Sequence, residues 1–302
     1  MNGSEACLAK EYFRVNVSRY APDKNFDILR PASLNHPKDF SVMFVTSAYM
    51  QYADALRNCE NCLVFWPEGV DIPEEIRARH VVRVCADPRK GYCAFFRDHH
   101  ITYYPPREEY EMIGGAFIAK GAVIGRECQI MPGAYIGGEV VMGDHCYIGT
   151  GARLVGSVRL GRRVIVRENS VIGADGFSTD RDENGHALTM PQFGGVILED
   201  DVQIGALTII ARGAIDCTVI RRGSKIDNSA FISHNVTVGE DSFIVGESIL
   251  FGSSSTGRQS FISGNATIRD GRHVGSHATV GMGAVVTRDV PDGAQRKGNP
   301  AK

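Results

Sequence analysis

The sequence has no apolar segment long enough to span a bilayer and no recognisable export signal. No stretch approaches the roughly 20 consecutive apolar residues of a transmembrane helix, and the opening residues MNGSEACLAKEYF lack the basic region and apolar core of a signal peptide. The net charge is −2, from 33 basic and 35 acidic residues, so no global field favours nucleic acid or an anionic membrane. We therefore expect a soluble cytoplasmic protein that binds any anionic ligand through local groups.

The eight cysteines form no recognisable disulfide framework, because they are scattered from Cys7 to Cys217. A chain of 302 residues needs no crosslinks to fold, so we expect reduced thiols. Cys59-Glu-Asn-Cys62 has a CxxC spacing, but no second CxxC or histidine pair follows at a zinc-site interval. We predict that this match is a coincidence and that the chain has no metal site.

An apolar residue recurs at every sixth position over residues 118–172 and 220–286, with Thr256 as the exception. Two residues earlier stands a mostly small residue, and positions i and i−2 point to the same side of a strand. The pattern predicts short strands with one large and one small inward side chain. The first run is Ile118, Ile124, Ile130, Ile136, Met142, Ile148, Leu154, Leu160, Val166 and Ile172. The second run is Ile220, Ile226, Ile232, Val238, Ile244, Leu250, Thr256, Ile262, Ile268, Val274, Val280 and Val286.

This period excludes an amphipathic helix, because a six-residue spacing drifts around a helix of 3.6 residues per turn. Short strands that bend at every sixth residue must coil, so the sequence predicts a mainly β protein built as a parallel β-helix. Glycines such as Gly125, Gly143 and Gly239 directly follow the apolar positions. We expect them to supply an unusual φ at the bends.

The phase of the repeat breaks twice, between positions 172 and 198 and between 210 and 220. The first break, at about 173–195, is rich in polar and turn residues, which predicts an external loop of the kind that often carries binding residues. Residues 1–105 lack the period and alternate apolar strands with helical stretches, which indicates a small α/β domain. A linker at Tyr103–Pro106 would join it to the β-helix domain at 106–302.

The repeat resembles the hexapeptide-repeat acyltransferases, which implies a left-handed three-sided prism with about 18 residues per coil and a homotrimer with active sites between subunits. Four blocks resemble the N-acyltransferases of lipid A synthesis, which act on UDP-3-O-acylglucosamine. These blocks are GADGF at 173–177, Pro191-Gln192, ARGAIDCTVI at 211–220 and KIDNSAFISHNVTVG at 225–239.

The segment SVMFVTSAYMQYADAL resembles the nucleotide-binding segment of the same family, in which an aromatic pair holds the uracil. Tyr49 matches the family's tyrosine, whereas its aromatic partner aligns with Met43 and Phe44 comes one position later. Thr46 stands where the family has asparagine. The resemblance implies that Tyr49, Phe44 and Thr46 contact a nucleotide, which is UDP or dTDP.

The end of the sequence, VGMGAVVTRDVPDGAQRKGNPAK, resembles the closing coil of CoA-dependent sugar acetyltransferases. We therefore expect acyl-CoA as co-substrate rather than acyl carrier protein, and no permanently bound cofactor. The match to the GNPAK ending implies that Lys302 meets phosphates of CoA. Arg288, Arg296 and Lys297 are further basic candidates.

The resemblance also implies catalytic roles. His234 matches the family's general base, and Asp227 matches the carboxylate that would orient its ring, by the logic of hydrolytic triads. A second family histidine aligns with Gly271, so a backbone amide of Gly246 or Gly252 would stabilise the oxyanion and contact CoA. The implied contacts with sugar or acyl chain are Asn228, Asp175, Phe177 and Gln192.

We predict an N-acyltransferase that moves an acyl group from acyl-CoA to a nucleotide-linked amino sugar for surface glycan synthesis, such as lipopolysaccharide or O-antigen. The main alternative is a UDP-3-O-acylglucosamine N-acyltransferase of lipid A synthesis that uses acyl carrier protein. A γ-class carbonic anhydrase would need His234, His273 and His277 to converge on zinc. A non-catalytic β-helix scaffold would not depend on His234.

Overall fold

A computed structural model describes residues 10–102 and 107–302. The chain divides into two compact units: the described residues up to 102 together with Ser178–Phe193, and 107–177 together with Gly194–Lys302. The predicted linker Tyr103–Pro106 and Cys7 lie outside the described residues. Among the residues described, no helix is long and apolar enough to cross a membrane.

The larger unit is a parallel β-helix, which confirms the fold class predicted from the repeat. Each short strand pairs in parallel with the strand one coil later, as Ile130 does with Ile148 and Ile232 with Leu250. Three sheets result, and we number these faces in the order in which the chain meets them. An antiparallel strand, Tyr110–Ile113, pairs with Ala116–Ala119 at one edge of the first face.

The strands of the first face are Ala116–Ala119, Tyr135–Ile136, Arg153–Leu154, Val171–Ala174, Ile209–Ala211, Phe231–Ile232, Ile249–Leu250, Thr267–Ile268 and Val285–Val286. Those of the second face are Val123–Ile124, Val141–Met142, Val158–Leu160, Val196–Leu198, Thr218–Ile220, Thr237–Val238, Ser255–Thr256 and His273–Val274. Those of the third face are Gln129–Ile130, Tyr147–Ile148, Ile165–Val166, Gln203–Ile204, Lys225–Ile226, Phe243–Ile244, Phe261–Ile262, Thr279–Val280 and Gln295–Arg296.

The core of the β-helix consists of the repeated aliphatic side chains, such as Ile148 and Ile232, which are fully buried. The small residues two positions earlier are buried beside them, and several of these are serines. The buried hydroxyl of Ser170 donates to the carbonyl of Gly205 at 2.6 Å, and that of Ser224 donates to Gly239 at 2.7 Å. These serines therefore bring no unpaired polar group into the core.

Gly125, Gly143 and Gly239, which follow aliphatic positions, serve close packing between coils rather than an unusual φ. A Cβ on Gly125 would lie 2.4 Å from the carbonyl carbon of Gly143, and one on Gly239 would lie 2.2 Å from the carbonyl oxygen of Gly257. Positive φ occurs instead two residues further on, as at Glu127 with φ 55°. The prediction for these glycines was wrong because side-chain spacing does not report how closely neighbouring backbones approach.

Both breaks in the repeat fall at the corner between the first and second faces. Val158 pairs with Val196, at a separation of 38 residues instead of 18, and Val196 pairs with Thr218 at a separation of 22. The register returns to 18 at Val219 and Thr237. Each insertion therefore leaves and rejoins the prism without disturbing the next coil.

The smaller unit contains a parallel sheet of four strands, in the order Arg30–Pro31, Ser41–Phe44, Leu63–Pro67 and Val81–Cys85. Its α-helices are Glu74–Arg79 and Pro88–Asp98, and its 3-10 helices are Val17–Arg19 and Ser47–Asn58. Val15–Asn16 pairs with Asp27–Ile28 in a separate antiparallel sheet. The carboxylate of Asp87 caps the second α-helix by accepting from the amides of Arg89 and Lys90.

The segment predicted as an external loop of the β-helix domain at 173–195 folds differently in its central part. Thr179–Arg181 and Ala187–Thr189 form an antiparallel hairpin. The ring of Phe193 packs 5.3 Å from that of Phe96, and its carbonyl accepts from the hydroxyl of Tyr12 at 3.0 Å. Because of these contacts, residues 178–193 belong to the smaller unit and not to the β-helix.

Candidate active site

His234 stands two residues beyond the inward Ile232, on the corner between the first and second faces, which we call the His234 corner. Its side chain is half-buried, and its Nδ1 lies 3.1 Å from Oδ1 of Asn235. The corner thus presents the imidazole outwards, as the sequence predicted, and gives one ring nitrogen a fixed partner.

The amide of Asn235 is oriented by the inserted segment above it. Its Oδ1 accepts from the backbone amide of Ala214 at 3.0 Å, and its Nδ2 donates to the carbonyl of Asp216 at 3.1 Å. Since Oδ1 is therefore the atom that faces His234, Nδ1 of the neutral ring carries the proton. Nε2 keeps its lone pair, as a general base requires.

Gly252 lies one coil after His234 and is in direct contact with it. A Cβ on Gly252 would lie 2.5 Å from Cε1 and 2.6 Å from Nε2 of the imidazole. Only glycine fits this place without moving the ring. Its backbone amide therefore stays a candidate oxyanion donor beside the proposed base.

Asp227 lies on another corner of the same coil, between the third and first faces, which we call the Asp227 corner. Its carboxylate accepts from the backbone amides of Asn228 at 2.8 Å and Gly246 at 3.1 Å. Within the described part of one chain, the side chain that orients His234 is Asn235 and not Asp227. The amide of Gly246 is already engaged by Asp227, so it is unavailable as the predicted oxyanion donor.

Asn228 is exposed on the Asp227 corner, and its Oδ1 accepts from the amide of Ala206 at 2.7 Å. Asp227 and Asn228 border a groove of about 420 Å³ on the third face. Phe243 and Phe261, with ring centroids 6.1 Å apart, and the cationic Lys225 also line the groove. This groove offers an apolar floor with charged edges.

Arg212 is a residue that the sequence analysis missed. It lies one coil before His234 on the same corner, its side chain is 4% exposed, and its Nε donates to Oδ1 of Asp175 at 2.7 Å. Asp175, predicted to contact substrate, is therefore held in an ion pair. Phe177 is 84% exposed. The available signal for Arg212 was its place in ARGAIDC, inside the second break of the repeat.

Tyr49 and Phe44, the two aromatic residues predicted to contact a nucleotide, pack against different neighbours. Tyr49 is 57% exposed, but the ring of Phe44 packs 4.9 Å from that of the buried Tyr92. The partner of Tyr49 is Tyr52, whose ring centroid lies 6.2 Å away and which is 47% exposed. Thr46 precedes this segment, and its carbonyl accepts from the amide of Tyr49 at 2.9 Å.

Gln192 is 2% exposed, and its Nε2 donates to the carbonyl of Met190 at 2.8 Å. Its burial in the smaller unit leaves almost no surface for the predicted contact with substrate. Met43, at the family's aromatic position, is fully buried.

The basic residues near the carboxyl end separate into two groups. Arg288 occupies the His234 corner three coils after His234, as the pairing of Phe231, Ile249, Thr267 and Val285 requires. Lys302 is exposed, and its backbone exchanges hydrogen bonds with Lys297, at 3.1 and 3.3 Å.

The three histidines of the carbonic anhydrase alternative lie at different places on the prism. His273 is on the second face, with Nδ1 2.8 Å from Oγ of Ser255, and His277 is on the corner between the second and third faces. Within the described residues of one chain, they and His234 do not form a cluster of metal-ligand atoms.

Comparisons with known proteins agree with this architecture. The family model described as bacterial transferase hexapeptide (six repeats) matches residues 121–156 and 139–174. A UDP-3-O-acylglucosamine N-acyltransferase of Methylobacterium nodulans is 39% identical over 143 residues, which cover 47% of this chain and 40% of that protein. The protein of the same name from Wolinella succinogenes is 38% identical over 131 residues, which cover 43% and 41%. The match thus spans about 40% of the length of these relatives.

Solved structures give the same fold. A UDP-N-acetylglucosamine acyltransferase from Campylobacter jejuni superposes with a TM-score of 0.57 at 19% identity, over 64% of this chain and 73% of that one. The Arabidopsis UDP-N-acetylglucosamine acyltransferase gives 0.53 at 21% identity, with the same coverage. The chain therefore carries the hexapeptide repeat of bacterial transferases, and the predicted resemblance to hexapeptide-repeat acyltransferases, UDP-3-O-acylglucosamine N-acyltransferases among them, is confirmed.

Proposed function

We propose that this protein is an N-acyltransferase that acylates the amino group of a nucleotide-linked sugar, with His234 as general base. The observation that carries the proposal is the state of the imidazole. Nδ1 is committed to Asn235, and Nε2 keeps its lone pair beside the backbone of Gly252.

The chemistry assigns one step to each group. Nε2 of His234 removes a proton from the sugar amine as its nitrogen attacks the thioester carbonyl, and the imidazolium then returns a proton to the leaving thiolate. A general base of this kind accelerates transfer by about 10² to 10⁴. The amide of Gly252 stabilises the oxyanion of the tetrahedral intermediate, a contribution typically of about 10² to 10³.

The acceptor we propose first is UDP-3-O-acylglucosamine, because the relatives that match 131 to 155 residues of the chain carry that name. The comparisons therefore favour the lipid A alternative over our first choice of another amino sugar. The exposed pair Tyr49 and Tyr52 would stack on the base, since aromatic faces bind planar rings at low entropic cost. Arg212 and Asp175 would border the sugar near His234.

A second candidate acceptor is a UDP- or dTDP-linked amino deoxysugar, with acyl-CoA as donor. It is favoured by three departures from the lipid A enzymes: the buried Met43 at the aromatic position, Gly271 at the position of the second histidine, and the basic closing coil. A Cβ on Gly271 would meet no atom within 4 Å, so the position of the missing side chain is open. The closing coil supports acyl-CoA, with Arg288 and Lys302 near its phosphates.

We also propose a homotrimer with its sites between subunits. Phe251, one position before Gly252, is exposed on the His234 corner, so a neighbouring copy that covers this apolar side chain would complete the surroundings of His234. Exposed apolar side chains on the prism, Leu207, Phe243 and Phe251, support self-association. Light scattering on the purified protein should give three times the chain mass of 32.9 kDa. A monomer would contradict the shared site.

The function is tested by offering the full-length protein each acceptor with each donor. UDP-3-O-acylglucosamine and a panel of UDP- and dTDP-linked amino deoxysugars are combined with acyl-CoA and with acyl carrier protein, and mass spectrometry detects an amide-linked product. We expect one acceptor to be acylated in this assay. Both donors occur in the cytoplasm, so we propose that the reaction takes place there. If the folded protein binds nucleotides in thermal-shift assays but acylates none of them, the proposal is wrong.

A further inference from the structure

Outside the candidate active site, two cysteines and a histidine meet in the interior of the smaller unit. Cys59, Cys62 and His80 are 2%, 0% and 4% exposed. One potential ligand atom from each lies within 4.8 Å of the other two, and the two sulfur atoms are 3.8 Å apart. The described residues contain no other group of three His, Cys, Asp or Glu side chains arranged in this way.

The fold explains why these residues meet. Cys59 directly follows the 3-10 helix Ser47–Asn58, and Cys62 directly precedes the strand Leu63–Pro67. His80 directly precedes Val81–Cys85, the parallel neighbour of that strand. The starts of two adjacent parallel strands therefore bring the CxxC and the histidine together, although 18 residues separate Cys62 from His80.

The distance between the sulfur atoms fits a tetrahedral zinc site. Zinc binds thiolate at about 2.3 Å, and two such bonds at the tetrahedral angle place the sulfur atoms about 3.8 Å apart. A disulfide would instead require about 2.05 Å. The observed 3.8 Å agrees with the zinc geometry.

The histidine is oriented as a zinc ligand would be. Nε2 of His80 lies 2.9 Å from the carbonyl of Leu56, which can only accept, so the neutral ring carries its proton on Nε2. A ligating histidine typically donates its second N–H to a carbonyl in this way. The lone pair of Nδ1 therefore faces the cysteine segment, where it accepts a long hydrogen bond from the amide of Cys62 at 3.3 Å, and a bound metal would replace this hydrogen bond.

We propose that Cys59, Cys62 and His80 form a structural zinc site. Binding releases one proton from each of the two thiols, and the two thiolate charges neutralise the ion, so no net charge is buried. Water or the carbonyl of Lys38, which lies 3.2 Å from Sγ of Cys62, completes the four ligands.

The site would tie together three segments of the smaller unit. One of them is the helix Ser47–Asn58, which carries the exposed Tyr49 and Tyr52. Loss of the metal is therefore expected to loosen the end of this helix and to lower the thermal stability of the smaller unit.

The first test measures zinc in the full-length protein, purified without chelator, by mass spectrometry of the elements. We expect about one zinc ion per chain in the wild type and almost none in Cys62→Ser. Cys85→Ser is the matched control, because Cys85 is a free cysteine of the same unit outside the cluster, and it should keep the zinc. Equal zinc in Cys62→Ser and the wild type would overturn the proposal.

The second test needs no variant, so it stands even if Cys62→Ser fails to fold. Chelator-treated wild-type protein is titrated with Co²⁺, and we expect sulfur-to-cobalt charge-transfer absorption together with the visible bands of tetrahedral Co²⁺. Metal that binds only the folded state also raises the melting temperature. The absence of thiolate-linked absorption, or an intact mass lower by two hydrogens from a Cys59–Cys62 disulfide, would contradict the site.

Discussion

The coil that carries His234 has polar residues on two corners whose surroundings differ. On the Asp227 corner, both carboxylate oxygens accept backbone amides, from Asn228 and Gly246. On the His234 corner, one ring nitrogen is bound by Asn235 and the other faces outwards beside a glycine. Two residues that a family resemblance groups as one catalytic pair therefore have different surroundings within a single chain.

The difference in surroundings indicates which of the two side chains is free to exchange a proton. A side chain whose polar atoms are saturated by the backbone stabilises the fold, whereas one with an oriented but uncommitted atom can exchange a proton. We therefore expect substitutions on the His234 corner to reduce turnover and those on the Asp227 corner to reduce stability. The variants below test this contrast.

The largest effect is expected for His234→Ala. Loss of Nε2 removes the proposed general base, so turnover should fall at least about a hundredfold. Because the ring is only half-buried, the melting temperature and the oligomeric mass should stay unchanged. Steady-state kinetics and circular dichroism measure the two, and unchanged turnover would contradict the assigned mechanism.

Gly252→Ala should have the next largest effect. The new Cβ would lie 2.5 Å from Cε1 of His234 and displace the ring, and a displacement of about 1 Å can cost about a hundredfold in rate. Gly264→Ala is the matched control, since its Cβ would come no closer than 3.4 Å to any neighbour. If both variants keep full turnover, the close approach of Gly252 to the His234 ring has no catalytic importance.

Asn235→Gly should lower turnover by about tenfold or more, because the ring loses the acceptor that fixes its tautomer. Glycine is the suitable replacement, since Asn235 has φ 59° and side chains other than Asn and Asp would add backbone strain there. The lost hydrogen bonds to Ala214 and Asp216 should also cost about 1 to 2 kcal/mol of stability.

Asn235→Asp distinguishes these two effects. It keeps an acceptor for Nδ1 of His234 but loses the bond donated to Asp216. Turnover should be higher than in Asn235→Gly, whereas the free energy of unfolding should stay below that of the wild type. Equal losses of turnover in both variants would show that Asn235 acts only through stability.

Asp227→Asn should change turnover by less than about threefold but cost about 1 to 3 kcal/mol, because one backbone amide loses its acceptor. Urea unfolding and steady-state kinetics measure these quantities. A large loss of turnover at unchanged stability would give Asp227 a direct role, through substrate or through a histidine of a neighbouring subunit, and would remove the contrast between the corners.

The smallest effect concerns Asp200, on the corner between the second and third faces. The backbone amide and guanidinium of Arg162 hold the pKa of this carboxyl below its usual range. The contribution to stability is therefore complete above the unfolded pKa of about 3.9 and is lost as pH falls through the lower folded pKa. Because the Arg162 side chain is largely exposed and Asp200 is partly exposed, we expect less than about 1 kcal/mol.

Asp200→Asn should accordingly be less stable than the wild type at pH 7 and equal to it at about pH 2. Urea unfolding at both pH values measures the difference. The same loss at the two pH values would mean that the ionised carboxylate makes no contribution.

Much of the β-helix could be predicted from the sequence, because a six-residue period fixes which side chains face inwards. The two breaks were also visible as changes of phase at 172 and 210. The period contains no information about backbone approach or about packing after the chain leaves the prism. The role of Gly125 and the contact of Phe193 with Phe96 therefore emerged only from the structure.

The sequence could place a site residue only where the six-residue repeat fixes the position of that residue on the prism. His234 follows an inward residue by two, which places it on an outer corner. Asp227, seven residues earlier, cannot share that corner, and its partners are set by the adjacent coil. Arg212 follows the inward Ile210 by two, so its corner was predictable in the same way. Its ion pair with Asp175 and the neighbours of Tyr52 and His80 depend on the three-dimensional structure, and no spacing in the sequence signals them.

The confinement of both insertions to one corner has a further consequence. In a solenoid each coil contacts only its neighbours, so chain length can vary at one edge while the other edges keep their spacing. The corner between the first and second faces varies in this way, with pair separations of 38, 22 and then 18 residues. Exchange of the segment at 212–217 between related proteins would therefore alter the surroundings of His234 while preserving the β-helix, because Ala214 and Asp216 hold the amide of Asn235 beside the imidazole. The sequence of this corner can therefore change with little effect on the folding of the coils.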